Sequence, residues 1–261
     1  MHIQKKNQPI GTLDDWFAIA PPKDGLSQWK DGRSAKESAR AWLERVGAVP
    51  AEIAELLSSH TDIGPLTYER AEPECLLAFD DHHGPRNADM VMWAHDARGP
   101  VAITVEAKAD ETFDRVIADV LDASLETILG TPNSKALTRV IDLTRCLFDV
   151  RAGDQARVSE LRYQLLTATA GTLALAKSMN STRGVVVVHE IISASCTHVK
   201  LDANAQDLDR FIRRISNGTV THVVSGVLYG PFTVPGAPLF EKPAELYFGK
   251  AIRRLPLEDR N

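Results

Sequence analysis

"GPRNADMVMWAHDARGPVAITVEAKADE", residues 84–111, reads as two apolar strands joined by the polar turn "HDARGP". Antiparallel pairing conserves the sum of the paired residue numbers, so with Ala94 opposite Val101, Asp89 falls opposite Glu106. Side chains alternate along a strand. Glu106 and Lys108 therefore share one face, while Ile103, Val105 and Ala107 point to the other with Met90 and Met92 and form its core side. Two facing carboxylates repel unless something positive lies between them; Lys108 supplies part of that charge and a divalent cation is the usual complement. For a lone Glu-x-Lys in a strand, the commoner origin is a surface salt-bridge cluster at the rim of a sheet. What lifts this one above that explanation is the order of elements around it.

The chain has 261 residues, 44% of them hydrophobic, enough to bury a full core. A formal net charge of -5 argues against coating nucleic acid or an anionic membrane through bulk charge alone, and leaves room for local basic patches. Cys75, Cys146 and Cys196 are widely spaced, form no CxxC and cannot all pair within one chain, which fits a reduced, cytoplasmic setting. The start "MHIQKKNQPIGTLDDW" lacks a signal-type apolar run, and "GVVVV" is far too short to span a bilayer, so no membrane partner is expected. The N-x-Ser/Thr matches at Asn180 and Asn217 are then expected to stay unmodified.

Residues 1–33, with Trp16, Phe17 and Trp29 around "APPKDGLS", read as an irregular arm pinned by its aromatics. Ser34 is placed to cap a helix, with Glu37 completing an S-x-x-E box and Gly47 and Pro50 ending it. A short helix near 51–59, a strand around Cys75–Phe79 and the hairpin follow. Phe113, Val116, Ile117, Val120, Leu121, Leu125 and Ile128 have the spacing of a one-sided helix. "DQARVSELRYQLLTATAGTLALAKSMN" reads as a long helix, and "GVVVVHEII" as a buried strand. A helix and two strands close the chain. The fold class expected is α/β: a central mixed sheet flanked by helices, in one domain with an arm (1–33), a core (34–192) and a C-terminal helix-strand-strand extension (193–261).

That order, with Asp89 at the head of the hairpin and Glu106-x-Lys108 at its tail, resembles the PD-(D/E)XK nuclease superfamily, whose restriction-endonuclease-like core is a helix, three strands, a helix and a fourth strand. The resemblance spans about residues 34–192. Carried over, Asp89 resembles the motif acid, with Ala88 in place of the motif proline. Glu106 resembles the second acid and Lys108 the lysine. Glu37 resembles an acid that some members supply from the first helix, and Gln164 a glutamine of exonuclease-like branches, whose tyrosine four residues on is here Ala168. The resemblance implies a metal-dependent deoxyribonuclease of restriction or repair type, with Asp89 and Glu106 holding Mg²⁺ or Mn²⁺, Lys108 orienting the attacking water, and DNA as partner. The alternative is an inactive protein of the same fold that binds or regulates, as a partner in a defence or toxin system. A second copy of the chain, as a homodimer, is a candidate partner in either case.

Arg86, in the Gly-Pro turn before Asp89, is placed to hold a phosphate beside the metal. Arg157 and Arg162 are candidate nucleic-acid contacts, Arg157 falling one helical face with Gln164 if the long helix begins near residue 154. "FDDHHGPR" tempts a zinc reading at Asp80, Asp81, His82 and His83, but neighbours on an extended chain diverge and no second ligand pair exists; Asp80 remains a candidate helper for the metal. No GxSxG, GxGxxG or Walker loop occurs, which argues against a serine hydrolase triad around His189 or His198 and against nucleotide use. No zinc-finger or helix-turn-helix signature indicates a cognate sequence.

Overall fold

The computed structural model describes residues 1–45, 47–82, 84–151, 153, 155–194 and 196–256. The hairpin is its frame: β4 (Arg86–Asp96) and β5 (Gly99–Lys108) pair antiparallel with Ala94 opposite Val101, as the turn requires. β3 (Thr67–Leu77) lies antiparallel on the other side of β4, and β6 (Arg183–Ile192) runs parallel to β5. The Val185–Val188 run of β6 is buried throughout, which is what a parallel strand covered on both faces demands. β8 (Ala244–Arg254) follows parallel to β6, with β7 (Leu228–Val234) antiparallel at the edge. At the opposite edge β1 (His2–Lys5) runs parallel to β3 and turns into β2 (Gln8–Pro9). Among the described residues the strands form one mixed sheet in the order β2-β1-β3-β4-β5-β6-β8-β7.

Helices cover both faces. α1 (Leu13–Ile19), α2 (Ser34–Leu43) and α3 (Ala51–Ser58) bring Trp16, Trp42, Ile53 and Leu56 against Met90, Met92, Ile103, Val105 and Tyr247. On the other face, α4 (Ile117–Gly130), α5 (Ala136–Leu147), α6 (Tyr163–Ser178) and α7 (His198–Ile215) pack Ile117, Leu143, Leu166, Leu173 and Phe211 against Val186, Val188, Leu246 and Phe248. Each such side chain is worth about 1.5–3 kcal/mol when fully buried, so the sheet is clamped from both sides. The protein is α/β, a large mixed sheet flanked by helices. No helix of the described residues is long and apolar enough to cross a membrane, and all three cysteines are free.

The structure departs from the sequence reading in four places. The arm is not irregular: it contributes two strands to the sheet and the capped helix α1. Ser34 does not cap α2; Arg33 stands at that position, and Glu37 reaches back to the amide of Gly32 instead. α6 begins at Tyr163, because Val158–Glu160 form a separate 3-10 turn, so Arg157 lies outside the helix and shares no helical face with Gln164. α4 begins at Ile117 with Val116 at its N-cap, so Phe113 lies before the helix rather than on its buried face.

Candidate functional site

The strand order brings three acids together from β3, β4 and β5. On either side of the site β3 and β4 hold one register, Pro73 with Met90 and Cys75 with Ala88, but Glu74 and Asp89 between them leave the ladder. Ala71 packs with Met90 and Met92 under α1–α3, whereas Cys75, Leu77 and Ala88 pack with Val91 and Ala102 on the other side. The strands thus change face here. Glu74 achieves this with a left-handed backbone (φ 51), a conformation that costs a non-glycine residue about 1–3 kcal/mol. The carbonyl of Glu74 accepts a hydrogen bond from Lys5 Nζ at 3.0 Å, so the β1 hairpin braces the distortion. The β4–β5 pairing ends at Met90 and Val105, and beyond it the amide of Ala107 donates to Asp89 Oδ2 at 2.7 Å.

A cavity of about 280 Å³ opens where the strands part, with Glu74, Arg86, Asp89, Glu106, Lys108 and Gln164 in its wall. Trp16, Lys23 and Arg33 from the N-terminal segment line its other side. Glu106 and Lys108 are only 4 % and 5 % exposed, which rules out the surface ion-pair explanation of the Glu-x-Lys. Lys108 Nζ donates to Glu106 Oε1 at 3.0 Å and stands over the Phe113 ring. Arg86 donates to Glu106 Oε2, and Gln164, whose own oxygen accepts from the amide of Asp114, donates to Glu106 Oε1.

Charge crowding divides the acids. Burial raises Asp89 well above the usual carboxylate range, and the nearby Glu106 and Glu74 raise it further; Lys108 and Arg86 offset only part. Asp89 is part-exposed through the cavity, yet enclosed closely enough on its other sides for burial to lead. Burial would raise Glu106 too, but Arg86 and Lys108 outweigh it and hold this carboxyl below its ordinary value. Burial pushes Glu74 up to about 7, with Glu106 adding to the rise and Asn87 and Lys5 opposing it. Lys108 would be lowered by burial, but Glu106 and Asp89 keep it above the ordinary value, and hence charged.

Asp89, Glu106 and Lys108 are therefore brought together, as the hairpin register implied, and Arg86 and Gln164 stand with them in the same wall. Glu37 is not among them. Its Oε1 accepts from Gly32 at 2.8 Å and from Arg40 at 2.6 Å, and it does not line the cavity. Arg162 is paired with Asp207 at 2.7 Å, Arg157 is exposed beside the 3-10 turn, and neither reaches the cavity. Asp80 is bound to Arg139 at 2.6 Å, away from the site; His83 lies outside the described residues. Besides Glu111, the acid of the cavity wall that sequence reasoning missed is Glu74. Its one signal is an acid in an otherwise apolar strand end, "PECLL", which no spacing rule connects to Asp89.

Asp89 and Glu106 present carboxylate oxygens of the kind a hard divalent cation takes, in a site where burial first, and then Glu106 and Glu74, push Asp89 toward its neutral form. Among the described residues no three His, Cys, Asp or Glu side chains are drawn together as a metal cluster; Glu106 is engaged by Arg86, Lys108 and Gln164, and Glu74 by Asn87. Two carboxylates nonetheless suffice for Mg²⁺, which keeps several of its waters.

No curated protein and no solved structure matches this chain. The family model described as a domain of unknown function (DUF6946) matches residues 9–244, most of its length, and the chain belongs to that family.

Proposed function

We propose that the protein is a metal-assisted phosphodiesterase acting on DNA, built on a restriction-endonuclease-like core. The observation that carries this reading is the convergence of Asp89, Glu106 and Lys108, from adjoining strands, on one cavity wall. The run α2, β3, β4, β5, the helices α4–α6 and the parallel strand β6 supports it as an order of elements. Asp89 and Glu106 would hold Mg²⁺ or Mn²⁺, whose chemistry there would be to activate the attacking water and offset charge on the phosphate. Lys108, kept charged by its acidic neighbours, orients that water and stabilises the negative charge that develops at the phosphorus oxygens. Gln164 and Arg86 hold Glu106 in place, and Arg86 is close enough to the same wall to take a phosphate oxygen.

A second reading has its own observation. With three donors on Glu106, the protein is equally organised as a stable charge network in a binding or regulatory protein that does not cut. Incubation with plasmid and with linear single- and double-stranded DNA in the presence of Mn²⁺ separates the two. The enzyme reading expects cutting that Lys108→Ala lowers by roughly 100-fold or more while leaving the fold intact. It also expects Mn²⁺ to raise the Tm of the wild type and not of Asp89→Ala. Absence of cutting together with an unmoved Tm establishes the regulatory reading.

A further inference from the structure

Resting on that reading of the cavity, we infer that the N-terminus of α2 is a second phosphate subsite, holding the phosphate of the substrate strand next to the one that is cut. The cavity has two unlike walls. β3, β4 and β5 supply Glu74, Arg86, Asp89, Glu106 and Lys108, whereas Lys23, Arg33, Ser34, Ala35 and Ser38 come from the arm and α2. Ser38 is the residue that asks for a ligand. It is 4 % exposed and lies in the wall, yet its hydroxyl has no hydrogen-bond partner among the described residues. Every other buried serine or threonine among them has one; Ser124 and Thr169, for instance, donate to the carbonyl four residues earlier at 2.6 and 2.7 Å. Unlike Trp42 Nε1 of the same helix, which is sealed in protein without a partner, the Ser38 oxygen is open to the cavity.

The rest of this wall donates as well. Ser34 lies one turn before Ser38, hence on the same helical face, and its hydroxyl is likewise unbonded among the described residues. Arg33 gives no side-chain cap, which leaves the first amides of α2 directed out of its end. Arg33 donates one Nη1 hydrogen to Asp110 at 2.7 Å and keeps the remainder of its fork, and Lys23 makes no ion pair among the described residues. Hydroxyls, amides and cations that all donate call for an anion with several oxygens, and the partial positive charge of a helix N-terminus suits a phosphate. At about 280 Å³ the cavity lies near the lower end of the range of small-ligand sites, about 300–1,000 Å³, so its two walls close on one nucleotide-sized stretch of strand. Lys108 and Arg86 face the phosphate that is cut, and the α2 wall takes its neighbour.

The test is calorimetric titration of the full chain with inorganic phosphate in metal-free buffer. It compares wild type, Ser38→Ala, the double variant Ser34→Ala/Ser38→Ala and Lys108→Ala, with the Tm of each recorded beside it. Alanine removes hydroxyls that bond nothing in the protein and is the better helix former, so the serine variants are expected to keep their Tm. The inference expects Ser38→Ala to weaken phosphate binding by roughly tenfold and the double variant by more. Wild-type affinity in both serine variants, with a loss in Lys108→Ala, puts the ion on the strand wall and overturns the subsite, as does a wild type that binds no phosphate. Neither metal nor cutting enters this titration. Phosphate held through Ser38 by a protein that cuts no DNA therefore keeps the subsite and overturns the phosphodiesterase reading, while a protein that cuts DNA but binds phosphate without Ser38 does the reverse. The same titration with a single-stranded oligonucleotide carrying or lacking a terminal phosphate separates the sources. Tighter binding of the phosphorylated end assigns the subsite to a strand terminus; equal affinities that fall in Ser38→Ala assign it to a phosphate within the strand, and equal affinities that Ser38→Ala leaves unmoved overturn it.

Discussion

Glu74 carries a cost that depends on pH, and the sign follows from its environment. Its folded pKa, about 7, lies above the ordinary 4.5, so the folded protein binds a proton more tightly than the unfolded chain does. Stability from this group is present at low pH and falls as pH rises from about 4.5 to about 7, by a sum on the order of 3 kcal/mol. Asp89, raised by the same crowding, acts in the same direction. Glu52, which buries against His189 yet is held down to about 2, and Asp96, brought to about 2 chiefly by its hydrogen bonds with Arg183, work the other way. They lose their contribution only as pH falls below their ordinary values, so the two windows do not overlap. Urea unfolding without metal is therefore expected to show wild-type stability declining between pH 4.5 and 7, and Glu74→Gln to flatten that decline without abolishing it. An identical slope in the two proteins would mean that Glu74 is not in this environment. At this scale the sequence was readable where chemistry and spacing coincide, as in Glu106-x-Lys108 and its partner Asp89. It was silent on Glu74, because a glutamate in a left-handed conformation gives no signal of the kind a glycine gives.

Among the elements, α6 decides whether the site stays assembled, since it delivers Gln164 to Glu106. Its seat on the sheet depends on close approach: a Cβ at Gly184 of β6 would lie 2.9 Å from Thr172 Cγ2 and 3.3 Å from Leu246 Cδ2. The Thr172 hydroxyl is buried against that of Thr104 at 2.6 Å, tying the helix to β5 one strand over. Gly184→Ala is expected to push the helix outward and destabilise by about 1–3 kcal/mol, read as a lowered Tm. Gly130→Ala, at the end of α4 with nothing within 4 Å of the added carbon, serves as the control and should be neutral or slightly stabilising. A Gly184→Ala protein as stable as the control would show that the interface has slack. The β4–β5 register was foreseeable because a short turn and alternating apolar residues leave one pairing. The start of α6 was not, because Val158 and Leu161 continue an apolar spacing that a 3-10 turn serves as well as a helix. β1 and β2 were missed because their turn uses Lys6 and Asn7 at positive φ, without the Asn-Gly pair that announces such hairpins.

For the whole molecule the question is how a chain of net charge -5 would hold a polyanion. The cavity gathers Lys23, Arg33, Arg86 and Lys108, cations from the arm, β4 and β5. Three of them are matched within the protein: Arg33 by Asp110 at 2.7 Å, and Arg86 and Lys108 by Glu106. Lys23 makes no ion pair among the described residues, so it is the cation at this mouth that a phosphate can engage without breaking an existing bond. Each phosphate neutralised by a lysine releases condensed counterions and adds about 0.9 to the slope of log K against log salt on duplex DNA. In a Lys108→Ala background that prevents cutting, Lys23→Ala is expected to lower that slope by about 1 and to weaken binding alike on unrelated sequences, measured by fluorescence anisotropy across a salt series. Arg157→Ala, whose side chain does not reach the cavity, should leave the slope unchanged. If the Arg157 variant moves the slope and the Lys23 variant does not, the DNA path runs over another face of the sheet, and the cavity built by Asp89, Glu106 and Lys108 serves some other ligand.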